Sequence, residues 1–196
     1  MTSRLLIMGP QGAGKGTQAA LLADQLGIPA ISTGDIFRAN IKGGTELGKK
    51  AQEYVTAGGL VPDSLTDALV RSRLEESDTE YGFILDGYPR NVAQVDALDV
   101  SLAGLGWLLD AVILLTADRG ELLTRIAKRA QIEGRADDTP EAIEQRLSIY
   151  ERETAPLADA YRARRILLEV DGMGEVDEVH KRIVTALREL ALQQQS

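Results

Sequence analysis

The sequence predicts an α/β fold, a parallel five-stranded sheet flanked by helices, on two observations. Short apolar runs rich in Ile, Leu and Val recur at residues 5–8, 83–85, 112–115 and 166–170, with a shorter one at 29–31. Runs that lean to Ile, Leu and Val rather than alternating regularly with polar residues read as strands buried on both faces, and such strands need helices on each side of the sheet. Between them lie longer stretches of helical periodicity, and strand–helix–strand alternation places the chain in the α/β class.

Taken in order, the first run ends in Gly9-Pro10-Gln11-Gly12-Ala13-Gly14-Lys15-Gly16-Thr17, a glycine-rich turn that opens the first long helix. Ser32-Thr33-Gly34 then precedes Asp35, whose carboxylate suits the positive end of a helix starting there. Trp107, within the apolar stretch 105–109, reads as a packing residue beside the strand that follows. Further on, Thr139-Pro140-Glu141 announces a helix: Thr139 can cap it, and Pro140 fits a first position where no backbone N–H is needed. Ile143, Leu147 and Tyr150 carry its apolar stripe, and Pro156 should end or kink it. After the last run, Val176, Val179, Ile183, Leu187 and Leu190 form the stripe of a C-terminal helix. Residues 192–196 read as a frayed tail, and the single histidine, His180, as a bystander on that helix.

Composition narrows the function. A chain of 196 residues fits a single domain, 1–196. Lys and Arg number 22 against 30 Asp and Glu, a net charge of −8 that argues against broad binding to nucleic acid or an anionic membrane. With no cysteine, disulfides, thiolate–zinc sites and cysteine nucleophiles are excluded. The first apolar run reaches glycine after four residues, too few for a signal-peptide core, so a cytoplasmic location is expected.

The glycine-rich turn carries the chemistry. Gly9, Gly14 and Lys15 satisfy the phosphate-loop spacing G-x-x-x-x-G-K between a strand and a helix. Glycines leave backbone N–H groups free to face a phosphate without an obstructing Cβ. The helix N-terminus adds partial positive charge and Lys15 a full one. The competing reading, a turn that carries a lysine by chance, is disfavoured by the strand-to-helix setting. Gly16 stands where a hydroxyl usually follows the lysine, and Thr17 comes one later, which argues against a direct hydroxyl–Mg²⁺ contact.

Phosphate loops serve GTPases, motor ATPases and small-molecule kinases. The guanine-reading Asn-Lys-x-Asp is missing, and no glycine stands three residues after Asp86. Five linked motifs decide among the rest: residues 9–18, Ile31-Ser32-Thr33-Gly34-Asp35-Ile36-Phe37-Arg38, Gly59-Leu60-Val61-Pro62-Asp63, Leu85-Asp86-Gly87-Tyr88-Pro89-Arg90, and Lys128-Arg129 with Gly134-Arg135-Ala136-Asp137-Asp138. Together these resemble the adenylate kinase family, from about residue 4 to residue 190.

The resemblance implies a nucleoside monophosphate kinase fold with an AMP-binding insertion at 32–61 and a short lid at 128–138. It implies ATP, AMP and ADP as ligands, Mg²⁺ with the ATP, no zinc, and a monomer. ATP would meet Gly12, Ala13, Gly14, Lys15, Gly16, Thr17, Arg129 and Gly174. AMP would meet Thr33, Arg38, Gly59, Leu60, Val61, Gly87, Tyr88, Pro89, Arg90, Gln94, Arg135 and Arg146. Lys15, Arg90, Arg125, Arg129, Arg135 and Arg146 would stabilise the phosphoryl group in flight, and Asp86 would hold Mg²⁺ through water. UMP/CMP kinases of the same fold typically carry alanine at the Thr33 position and asparagine at the Gln94 position, so Thr33 and Gln94 favour AMP. A non-catalytic nucleotide sensor would be expected to lack Arg90, Arg129 or Arg135, and all are present.

Residues 119–165 hold nine arginines and one lysine against nine acids. Of these arginines, Arg152, Arg162, Arg164 and Arg165 read as a solvated helix face. Asp137 and Asp138 are expected to pair with the lid arginines. Gly134, Gly43-Gly44 and Gly58-Gly59 are candidate hinges as much as plain turns.

Overall fold

A computed structural model describes residues 3–133 and 138–194. Its centre is a parallel sheet of five strands: β1 (Ser3–Met8), β2 (Ala30–Ser32), β3 (Gly82–Asp86), β4 (Ala111–Thr116) and β5 (Leu167–Asp171). Their order is β2-β3-β1-β4-β5, so β1 is central. The chain lays β2 and β3 on one side of β1 and then β4 and β5 on the other, and the crevice at the C-terminal ends of β1 and its neighbours is where open α/β sheets bind ligands. The register fixes what meets there: Ile7 of β1 stands opposite Asp86 of β3, and Met8 opposite Leu114 of β4.

Nine α-helices surround the sheet among the described residues: α1 (Lys15–Leu26), α2 (Thr33–Lys42), α3 (Glu46–Ala57), α4 (Asp63–Leu74), α5 (Val92–Gly104), α6 (Arg119–Glu133), α7 (Pro140–Ile149), α8 (Leu157–Ala163) and α9 (Val176–Gln194). Strands β1, β3 and β4 are buried on both faces, and their alternate residues feed two separate cores. Leu6, Leu85 and Val112 pack with Leu98, Leu102 and Tyr161 on one side; Leu5, Ile84 and Ile113 pack with Leu22, Val179 and Ile183 on the other. A third, smaller cluster of Phe37, Ala51 and Val61 belongs to α2, α3 and the segment after them.

Local expectations hold where the signal was local. Thr139 caps α7 by accepting from the Ala142 N–H, with Pro140 at its start. The helix then loosens into one π-helical turn, Tyr150–Thr154, closed by the Ala155 N–H on the Tyr150 carbonyl (2.8 Å), and α8 begins after Pro156. Trp107 packs beside Phe83, ring centroids 6.4 Å apart, with the Arg4 guanidinium 4.5 Å over its indole.

Three details differ. β5 is an edge strand of which only Val170 is buried, because nothing pairs beyond it. Val176 is 47% exposed at the start of α9, so the buried stripe begins at Val179. Residues 192–194, expected to fray, continue α9. Residues 128–133, where the expected lid begins, form the end of α6, and 134–137 lie outside the described residues. No helix among the described residues is long and apolar enough to cross a membrane.

Candidate active site

A single cleft of about 950 Å³ at the C-terminal edge of the sheet gathers almost every residue singled out from the sequence. Its floor is the turn between β1 and α1. Gly9 has φ +144°, and a Cβ there would stand 2.6 Å from the Leu115 carbonyl oxygen, so no other residue fits against β4. Gly12 and Gly14 also take positive φ. The backbone therefore curls over the end of the sheet and presents the first turn of α1, where N–H groups lack helical partners.

Lys15 folds back over this turn and donates to the Pro10 carbonyl (3.0 Å). Burial lowers its pKa, opposed chiefly by the Asp86 carboxylate. Asp86, at the end of β3, is pushed up by its own burial, with Lys15 and then Arg90 pulling the other way. Gly16 adjoins them: an added Cβ would lie 3.8 Å from Asp86 Oδ2.

The opposite wall comes from α2, the segment after α3, and the turn after β3. The Gly87 carbonyl accepts from the Thr33 hydroxyl (3.0 Å) and from Arg90 Nε (2.7 Å). The Arg90 backbone is held from both sides: its N–H donates to Gln94 Oε1 (2.8 Å), and its carbonyl accepts from the Thr154 hydroxyl (2.7 Å). Burial lowers the Arg90 pKa. Among the described residues neither Lys15 nor Arg90 has an ion-pair partner. Arg38 instead lies against Asp35 (2.5 Å) one turn earlier on α2, whose start Ser32 caps by accepting from the Asp35 N–H. Asp35 thus serves both as the expected helix-start residue and as the counterion of Arg38. Gly59, Leu60, Val61, Tyr88, Pro89 and Gln94 complete this side of the cleft. Gly58 fits less a hinge than a close approach, since a Cβ there would meet the Ala142 carbonyl at 2.4 Å.

The third wall is arginine-rich. Arg125 Nε donates to Glu121 (2.7 Å) and its NH1 to the Gly172 carbonyl (2.9 Å), which ties α6 to the end of β5. Arg129 forks onto Asp138, and Arg146 donates to the same carboxylate (2.9 Å) and to the Val55 carbonyl (3.1 Å). The Asp138 side chain is fully buried between them. Gln11 Nε2, from the turn after β1, is a third partner, donating to Asp138 Oδ1 (2.9 Å). Gly174 lines the cleft beside Val176, whose carbonyl accepts from Gln18 Nε2 (2.9 Å).

Of the residues singled out, Arg135, the candidate hinge Gly134, Ala136 of the fifth motif and Asp137, the other acid expected to pair with lid arginines, lie outside the described residues. Arg152, Arg162 and Arg164 pair with surface carboxylates and line no part of the cleft. His180 also stands outside it, between Gln18 and Gln25. Gln11 and Gln18 lie within the 9–18 motif with no role assigned from sequence, and Thr154 carried no signal; all three act through contacts distant along the chain.

Comparison with known proteins gives a consistent picture. The family model described as adenylate kinase matches residues 7–166. An adenylate kinase of Bifidobacterium longum is 61% identical over 94% of this chain and 99% of its own length. That of Kocuria rhizophila is 57% identical over 94% and 98%. That of Thermobifida fusca is 53% identical over 96% and 100%.

Asp138 gives a direct test of how this cleft is held. Asp138→Ala leaves two guanidiniums and an amide without their shared acceptor. Because both arginines keep some solvent access, the expected loss is about 1–3 kcal/mol of unfolding free energy, less than for a fully buried pair. Urea denaturation measures it, and the difference should change little with salt, since the carboxylate is shielded from ions. A loss under a few tenths of a kcal/mol would contradict the buried geometry.

Proposed function

The chain belongs to the adenylate kinase family, and from that premise we propose that it reversibly transfers the terminal phosphoryl group of Mg·ATP to AMP, giving two ADP. The convergence of Lys15, Arg38, Arg90, Arg129 and Arg146 from separate segments into one cleft carries this reading. ATP would place its phosphates on the N–H groups of residues 12–17 and on Lys15, with Arg129 beside them and Gly174 near the base. AMP would lie against Thr33, Gly59, Leu60, Val61 and residues 87–89, its phosphate met by Arg38, Arg90 and Arg146 and its base by Gln94. Arg125 and Arg135 complete the clamp on this reading. Residues 32–61 form the acceptor-side insertion and 128–138 the short lid.

The acceptor is a phosphate oxygen whose second pKa is about 6, already deprotonated near neutral pH, so no general base is required. Transfer needs alignment and positive charge on the oxygens in flight. Lys15 and Arg90 are suited to both, being buried cations with no ion pair to break among the described residues. Their lowered pKa values record how far they are desolvated, and a desolvated cation acts more strongly on a phosphate. The Gly87 carbonyl and Gln94 fix Arg90, so its guanidinium is oriented before substrate arrives.

The site suits Mg²⁺ held mainly by substrate. This ion keeps several waters and takes one or two carboxylates along with phosphates. Asp86 offers one carboxylate, and Gly16 leaves room beside it for a hydration shell. Among the described residues no cluster of three His, Cys, Asp or Glu could hold a metal alone. When bound with ATP, the ion would neutralise phosphate charge. With the family we place the protein in the cytoplasm as a monomer, and the net charge of −8 supports the absence of nucleic-acid and membrane partners.

A coupled assay with AMP, UMP, CMP and GMP as acceptors should show AMP preferred. Lys15→Met should lower AMP turnover by at least about 10²–10³ with an unchanged circular dichroism spectrum. Preference for UMP or CMP would overturn the acceptor assignment, and near-normal turnover in the variant would overturn the role of the loop. A pH profile tests the same lysine. Because burial lowers its pKa, the Lys15 cation is lost as pH rises through a value below the usual 10.5. The ratio kcat/KM for ATP, which reports groups of the free enzyme, should fall at a pH below 10.5 while the protein is still folded.

A further inference from the structure

Beneath the acceptor wall lies a residue that does not line the cleft yet controls one that does. Gln94 is 2% exposed, and both ends of its amide are engaged: Oε1 accepts from the Arg90 N–H (2.8 Å), and Nε2 donates to Asp63 Oδ1 (2.7 Å). Asp63 opens α4, and its carboxylate also accepts from Asn91 Nδ2 (3.1 Å). Asn91 in turn caps α5 by accepting from the Gln94 N–H (2.9 Å). The Tyr88 hydroxyl donates to Asp67 (2.7 Å), one turn along α4, and sits 3.2 Å from the Gln94 carbonyl, so the backbone of Gln94 is held as well as its amide.

A glutamine amide read by itself can turn over, exchanging donor and acceptor at little cost. Here it cannot. One end faces a backbone N–H, which only donates, and the other faces a carboxylate, which only accepts. Turning the amide would set N–H against N–H at Arg90 and oxygen against oxygen at Asp63. The fixed amide keeps one lone pair and one N–H in reserve for a ligand.

We propose that Asp63 is a positioning residue for acceptor specificity: with the Arg90 N–H it locks the Gln94 amide in the one orientation that suits a 6-aminopurine and refuses a 6-oxopurine. The inference rests on the reading of this wall as the AMP site. Adenine offers an amino donor at position 6 beside a ring-nitrogen acceptor, the complement of an amide oxygen and N–H. A 6-oxopurine presents an acceptor at position 6, which meets the locked oxygen lone pair to lone pair. A free amide would turn over to accommodate it. Sites that present a fixed hydrogen-bonding group discriminate strongly, because the mismatched ligand leaves buried polar groups unpaired.

The test compares AMP with IMP as acceptors for the full-length protein, Asp63→Ala, Gln94→Ala and the double variant. Asp63→Ala should raise the KM for AMP about tenfold with kcat within about threefold, and narrow the AMP-to-IMP ratio of kcat/KM about tenfold. Since Asp63 acts through Gln94, it should add little in the Gln94→Ala background, whereas a merely structural loss at the start of α4 would add fully. Asp63→Asn, which retains one oxygen for the amide, should restore most of the preference. Should Asp63→Ala not fold, Asp63→Ser keeps a favourable helix-start residue but is too short to reach the amide, and carries the same expectation. An unchanged AMP-to-IMP ratio in a folded variant, or additive effects in the double variant, would overturn the lock while leaving the proposed activity standing. A full-length protein that does not use AMP, or uses IMP equally well, would instead overturn the reading on which the lock rests.

Discussion

Charge repulsion within the cleft is the constraint on which the rest of this structure turns. Among the described residues seven cationic side chains line it: Lys15, Arg38, Arg90, Arg125, Lys128, Arg129 and Arg146. Bringing like charges together out of bulk water costs several kcal/mol for each close pair. The protein offsets that cost with three carboxylates placed against particular cations. Asp35 takes Arg38, Glu121 takes Arg125, and the buried Asp138 takes Arg129 and Arg146 together. Lys15 and Arg90 receive only the longer-range pull of Asp86, and these are the two whose pKa values burial lowers. Lys128 is exposed to solvent, so the least compensated of the buried cations are the ones proposed to meet the transferring group, where an anionic ligand would supply what the protein withholds.

The sheet makes this arrangement possible by bringing distant segments to one edge. Parallel strands all end on the same side, so the turns after β1, β3 and β5 open into a common space. Asp86 reaches Lys15 because β1 and β3 are neighbours in register, although 71 residues separate them in sequence. Arg125 reaches the Gly172 carbonyl because β4 and β5 pair and α6 returns over their ends. The two apolar cores on either face hold the strands in that register, and a slip of one residue would exchange the two core sets. Packing thus sets where charges stand, and the balance of charges then decides which of them are available to a ligand.

Much of this was legible in the sequence wherever the determining physics is local. The turn at Gly9–Lys15 demands glycine for reasons confined to a few residues, and Thr139-Pro140 begins a helix wherever it occurs. Strands β1, β3 and β4 declared themselves by unbroken apolar character, because burial on both faces permits little else. β5 is less uniform, since Glu169 and Asp171 stand among its five residues, and the exposed Glu169 fits its place at the edge of the sheet. Polar partners are less legible. Asp138 could be expected to pair with arginines, but that one carboxylate serves two of them and Gln11 depends on three elements meeting. Gln94 was marked as a base-reading residue by resemblance. Its orientation depends on Asp63, 31 residues away, which the sequence offers only as an acid at the start of a helix.

The net charge of −8 bears on ligand size more than on ligand sign. A polyanion laid across the surface would meet the acidic surplus and be repelled. A small polyphosphate that enters the cleft meets the opposite field, because among the described residues only four of the lining side chains, Asp35, Asp86, Glu121 and Glu175, are acidic. At physiological ionic strength charges beyond about 8 Å are largely screened in solvent, whereas those inside a closed cleft are not. The outer acids therefore weaken the inner cations little, and they keep the surface soluble. Global charge and site charge diverge here because the cations are gathered around one cleft while the acidic surplus lies elsewhere, so the placement of charges, more than their sum, sets what the site attracts.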